Sequence, residues 1–125
     1  MSETALPVDR GACHQISEIL GRIGDKWTVL IIMVLHERPH RFNEIKRAVG
    51  GISQQMLTRT LKHLERDGML SRTVRPTLPP QVEYALTDLG RSLAVPVAAM
   101  GSWAMTNLGD INHRRSLYDA AKDSC

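Results

Sequence analysis

Apolar residues recur at three- and four-residue spacing through four consecutive stretches of the chain, then at alternate positions, then again at helical spacing. Residues 1–12 are polar, carry Pro7 and Gly11, and read as a loose arm. After Cys13, the residues Ile16, Ile19, Leu20 and Ile23 form one short amphipathic helix, which Gly24 ends. Asp25 can cap a second helix in which Trp27, Leu30, Ile31, Val34 and Leu35 repeat, with Val29, Ile32 and Met33 on the remaining faces. Such a helix is buried on nearly every side, and Arg38 before Pro39 marks its end. Phe42, Ile45 and Val49 make a third, shorter stripe that Gly50-Gly51 turns sharply. Ser53 then caps the clearest helix of all, with Leu57, Leu61 and Leu64 at i, i+4 and i+7 and Gly68 at its stop.

Beyond Gly68 the period changes. Leu70, Thr73 and Val74 lie in an extended, β-branched context, PTLPP interrupts, and Val82, Tyr84 and Leu86 alternate with Glu83. This predicts a two-stranded hairpin with a proline-stiffened tip. Thr87 and Asp88 cap a last helical region whose Leu93, Val97, Met100, Trp103 or Ala104, and Leu108 fall on one side. Pro96 is a candidate kink, Gly101 and Gly109 are candidate breaks, and Ile111 to Ala121 reads as a further short helix. The expected organisation is the arm at 1–12, one compact unit over 13–95, and terminal helices with a tail over 96–125.

Two helices joined by a glycine-containing turn are the sequence form of a helix-turn-helix, although an αα-hairpin without any nucleic-acid role shares it. A hairpin directly after the second helix makes the order that of a winged helix-turn-helix. The expected fold class is mainly α with a small β-hairpin, a winged helix-turn-helix with terminal dimerisation helices. In that arrangement the second helix enters the major groove of double-stranded DNA. With the leucine stripe facing inward, its opposite side carries Gln54, Gln55, Thr58, Arg59 and Lys62, and Ser53 and Arg66 complete the candidate reading helix. Gln pairs with adenine N6/N7, Arg with guanine O6/N7, and the Thr methyl meets a thymine methyl. Arg41, Lys46, Lys62 and Arg66 suit phosphate contacts, as does Thr77 on the wing, while Arg72 and Arg75 at or near its tip are placed to reach the backbone or the minor groove. The lesser alternative for Arg72 and Arg75 is that they are edge-strand charges that discourage aggregation.

Charge sharpens this picture. From Arg38 to Arg75 there are nine basic residues against three acidic, a local balance of +6 in a chain of net charge +3, so the remainder carries −3. A basic middle between acidic ends fits one face meeting a polyanion, or a solvated charged face. The length of 125 residues suits one domain with a core that needs neither disulfide nor metal. Aromatics at 4% leave the interior to aliphatic side chains and argue against a β-sandwich. The longest apolar run after Trp27, Val29 to Leu35, is too short for a membrane span, and the N-terminal stretch has no secretory pattern. A cytoplasmic protein without membrane contact is expected.

The segments ILGRIGDKWTVLII, RFNEIKRAVGGISQQMLTRTLKHLERDGML and PPQVEYALTDLGRSL, in that order, resemble the HxlR family of bacterial regulators, a branch near the MarR winged helices. The resemblance covers roughly residues 13–95. It implies a homodimeric transcription factor on a two-fold symmetric operator, with Ser53 to Arg66 as the reading helix, Arg72 to Gln81 as the wing, and a dimer formed by terminal helices. Dimerisation also has a physical warrant. Ile16, Ile19, Leu20, Leu93, Val97, Met100, Trp103 and Leu108 are more apolar surface than a three-helix core with a hairpin needs. Ordinary core positions are the plainer reading for any one of them. A cysteine at the position of Cys13 is common in the family resembled, and in some members it senses oxidants or electrophiles, often by bridging subunits. Placed before the first helix, Cys13 would meet backbone amides that stabilise a thiolate, with His14 beside it. A reduced, half-buried thiol that merely packs is the alternative. A small-molecule effector near Trp27, Met100 or Trp103 is another, and a winged helix used only for protein contacts a third.

Nothing in the sequence looks catalytic: no nucleophile elbow, Walker loop or dinucleotide fingerprint occurs. His36 and His40 are four apart, but Pro39 breaks the helix that would bring them together, so neither metal nor cofactor is expected. Cys13 and Cys125 are not expected to form a structural disulfide.

Overall fold

A computed structural model describes residues 10–123. Its elements are α1 (Arg10–Ile23), α2 (Lys26–Glu37), β1 (His40–Arg41), α3 (Phe42–Val49), α4 (Gln54–Arg66), β2 (Leu70–Arg75), β3 (Gln81–Leu86) and α5 (Asp88–Asp123). The helix starts use the caps their sequence offers. Asp25 Oδ2 accepts from the Trp27 and Thr28 amides at 3.2 and 3.3 Å. Ser53 Oγ accepts from the Met56 amide at 3.0 Å, and Thr87 Oγ1 from the Gly90 amide at 3.1 Å. Before α3 there is no Ser, Thr, Asn or Asp, and Glu44 Oε1 reaches back to the Arg41 amide at 2.9 Å.

That bond from the Arg41 backbone is the main reason the Glu44 carboxyl sits below its usual 4.5; partial desolvation opposes it, and the charges of Arg38, Arg41 and His40 assist. A carboxylate depressed in the folded state stabilises above its unfolded pKa, and that contribution is lost as pH falls through the folded value. The stability difference between wild type and Glu44→Ala, measured by urea denaturation, is therefore expected to be full at neutral pH and to shrink once pH drops below 4.5.

The core joins Ile31, Ile32 and Leu35 of α2, Ile45 of α3, Ile52 of the following turn, and Leu57, Leu61 and Leu64 of α4 to Leu70, Leu86 and Ala94. Each fully buried aliphatic side chain contributes about 1.5–3 kcal/mol, so the leucine stripe of α4 fixes which face that helix turns outward. The polar residues inside are satisfied. Thr60 Oγ1 donates to the Met56 carbonyl at 2.8 Å, and His40 Nδ1 lies 2.6 Å from the Arg38 carbonyl, an acceptor, so Nδ1 carries the proton.

Three expectations need correction. The hairpin is part of a three-stranded antiparallel sheet in the order β1-β3-β2, because His40 and Arg41 pair with Tyr84 and Glu83. α1 begins at Arg10, inside the stretch read as an arm, so Cys13 is its fourth residue and does not precede it. Residues 1–9 of the arm, like Cys125, lie outside the described residues. The C-terminal region is one helix of 36 residues: neither Gly101 nor Gly109 breaks it, Ile111 to Ala121 is no separate helix, and the 95/96 boundary falls within it. Each glycine costs roughly 1 kcal/mol and Pro96 removes one backbone bond, but buried Ala94 and Val97 anchor the helix on both sides of the proline.

Candidate nucleic-acid interface

Two residues make the turn between α3 and α4 possible. Gly50 and Gly51 have φ of 71° and 76°, a region side chains disfavour, and Ile52, 3% exposed, pins the end of the turn to the core. The turn delivers α4 with Ser53 at its head and no acidic residue in its first turn, so no negative side chain there offsets the positive end of the helix dipole.

With Leu57, Leu61 and Leu64 buried, the other side of α4 presents Gln54, Gln55, Arg59, Lys62 and Arg66 as exposed residues and Thr58 as half-buried. Gln54, Gln55, Thr58, Arg59 and Lys62 share one open hollow of about 770 Å³ with His63, which sequence reasoning did not single out. Arg66 stands apart at the far end of the helix. A second cleft, about 500 Å³, runs between α4 and the hairpin and joins Gln54, Thr58 and Lys62 to Arg72 and Tyr84. Phe42, Leu61 and the acidic Glu65 also line this cleft, so the hairpin and α4 border one hollow of mixed apolar and charged character.

Other predicted residues are placed less simply. Lys46 is partly buried on the outer side of α3, with Asn43 and Arg47 around a hollow of about 270 Å³. Those two were missed, although Asn43, Lys46 and Arg47 lie three and four apart and so share one helix face. Arg41 is exposed at the head of α3. Arg75 is not an unengaged wing cation, because Thr73 pairs with Glu83 and the diagonal position brings Arg75 within 3.0 Å of the Glu83 carboxylate. Thr77 is a poor phosphate ligand, since its hydroxyl already donates to the Pro79 carbonyl at 2.7 Å.

The predicted partner surface divides. Leu93 packs against the core and Val97 is 3% exposed, so both belong to the inside of the subunit; Ile16 is half-buried. Ile19, Leu20, Met100, Trp103 and Leu108 are all at least half exposed. Trp27 packs partly against the core, whereas Met100 and Trp103 are exposed on α5. Cys13 is exposed.

The sequence pattern of the HxlR-like helix-turn-helix family matches residues 22–112. The chain belongs to this family. Among similar proteins is YtfH of Escherichia coli K12, an uncharacterized HTH-type transcriptional regulator, 43% identical over 94 residues that make up 75% of each chain. The structure resembles that of the transcriptional regulator ytfH of Salmonella typhimurium with a TM-score of 0.76 at 40% identity, covering 81% of this chain and 90% of that one. It also resembles the redox regulator HypR in its oxidized form, with a TM-score of 0.70 at 39% identity, covering 74% of this chain and 96% of HypR. This HxlR-like chain is a transcriptional regulator of winged helix-turn-helix type and not an enzyme. Among its described residues no helix is long and apolar enough to cross a membrane.

Proposed function

We propose that this regulator is a cytoplasmic homodimer that represses transcription by binding a pseudo-palindromic DNA operator, with half-sites about one helical turn apart. The observation that carries the reading is the outer face of α4, where three amide or hydroxyl side chains and three cations stand on a helix whose opposite side is locked into the core. Gln54, Gln55, Thr58 and Arg59 read base edges. Ser53, Lys62, Arg66, Arg41, Lys46 and Arg72 hold phosphates and fix the register. Binding weakens with salt at a log-log slope of about −0.9 per phosphate neutralised.

Footprinting on the upstream region of its own gene, followed by fluorescence anisotropy, tests this. Arg59→Ala is expected to relax discrimination at one base pair by about 1–3 kcal/mol, while Lys46→Ala weakens specific and random duplexes alike. Equal losses on both duplexes for Arg59→Ala would contradict its role.

Cys13 serves as the signal input in this reading, supported by its exposure near the start of α1 and by the likeness to a redox regulator solved in an oxidized form. Two Cys13 thiols, one per subunit, give up two protons and two electrons to an oxidant such as hypochlorite or diamide and form a bridge. The bridge alters the spacing of the two α4 helices, so that only one state fits both major grooves. Operator affinity of the wild type is expected to change on diamide treatment while Cys13→Ser stays constant; an identical response of the two proteins removes Cys13 from the mechanism.

A further inference from the structure

The hairpin tip carries Leu78, which at 98% is the most exposed large apolar side chain among the described residues. A single exposed leucine is ordinary on a protein surface, so its neighbours and position decide what it means. The loop from Pro76 to Pro80 contains no charged residue. Arg75, next to it, is drawn back along the hairpin by Glu83 at 3.0 Å, and Arg72 lines the cleft beside α4. The outermost part of the wing therefore lacks the chemistry of a phosphate grip. Proline and leucine are instead the residue types that enter minor grooves as apolar wedges.

The tip is also held in shape. The Thr77 amide donates to the Arg75 carbonyl at 2.8 Å, its hydroxyl donates to Pro79 at 2.7 Å, and three prolines flank Leu78. Little conformational freedom remains to be lost on binding. Reach is sufficient. β2 leaves the core at buried Leu70 and runs to Arg75, an excursion of about 17 Å at ~3.3 Å per residue. That is roughly half of a ~34 Å duplex turn, the scale that separates a major groove from the minor groove beside it.

Resting on the DNA-binding reading above, we propose that Leu78 is a specificity-determining residue that enters the minor groove flanking each half-site and disfavours G·C pairs there. Every base pair presents acceptors on the minor-groove floor, but only G·C adds the guanine 2-amino donor. A leucyl side chain displaces the water on that donor and offers no acceptor in its place, so the amino group is left unsatisfied. A·T pairs carry no such group.

The test begins with selection of duplexes from a random pool by the full-length protein. Anisotropy titrations are then run on the selected site with its wing-facing pairs set to A·T, G·C or inosine·C, the last being G·C without the 2-amino group. Wild type is expected to bind the G·C duplex about tenfold more weakly than the A·T duplex and the inosine duplex within about twofold of A·T. Leu78→Ala is expected to lose the G·C penalty while selecting the same major-groove bases; the side chain touches no core, so the variant folds. Persistence of the penalty in Leu78→Ala, or an inosine duplex as weak as G·C, overturns the assignment. Selection of a two-half-site motif with no wing-facing A·T preference removes Leu78 alone, whereas selection of no motif by the wild type removes the DNA-binding reading itself.

Discussion

Gly90→Ala is expected to destabilise the protein by about 3 kcal/mol, a fall of roughly 10 °C in Tm, although alanine is the better helix former. Gly90 is buried in the first turn of α5, where a Cβ would collide with the Met69 carbonyl oxygen and stand 3.0 Å from its carbon and 3.1 Å from Leu86 Cδ2. Helix propensity favours alanine by only about 1 kcal/mol. The obstacle is backbone and is itself engaged: the Met69 carbonyl accepts the Thr87 amide at 3.0 Å, and the Thr87 hydroxyl donates to the Gly68 carbonyl at 2.5 Å. These bonds tie the end of α4 to the start of α5, so relief of the clash must shift the joint between these two helices. Gly101→Ala is the control, because nothing lies within 4 Å of a Cβ there, and a gain of up to about 1 kcal/mol is expected. Calorimetry on both variants decides it. A Gly90→Ala protein as stable as wild type would mean that the 68–69 segment yields freely.

The same joint marks where sequence reasoning stops. Helix α4 is legible because its signals are local: Ser53 as cap, three leucines at helical spacing, and Gly68, whose φ of 78° ends the helix. The hairpin is legible from alternation and prolines. By contrast β1 is two residues long, and only pairing with β3, more than 40 residues away, makes it a strand. The unbroken course of α5 is hidden for a related reason, since the anchoring of Ala94 and Val97 in the core outweighs the local signals of Pro96 and the two glycines. On the candidate site, the outer face of α4 follows from periodicity alone. The restraint of Arg75 by Glu83 depends on strand register, and the use of the Thr77 hydroxyl depends on loop geometry, so neither can be read from residue type.

Charges placed on the outer half of α5 are expected to have the largest functional effect: Trp103→Glu combined with Leu108→Glu should yield a folded monomer whose operator affinity is about 10²- to 10⁴-fold lower. Helical periodicity puts Leu93, Val97, Met100, Leu108, Ile111 and Tyr118 along one side of α5. At Leu93 and Val97 that side packs into the subunit core, whereas Met100, Leu108 and Tyr118 are 55%, 55% and 68% exposed, with Trp103 at 62% beside them. One apolar stripe thus runs off the end of its own domain. A lone helix of that kind gains its stability from packing of its apolar face, and in the proposed homodimer a second copy of α5 would offer the matching surface. The loss in affinity follows from geometry, because an operator with two half-sites holds a dimer by two linked contacts and a monomer by one. Sedimentation equilibrium reads the dimer, circular dichroism the fold, and anisotropy the affinity. If the double variant sediments as a dimer and binds as tightly as wild type, the subunits meet elsewhere.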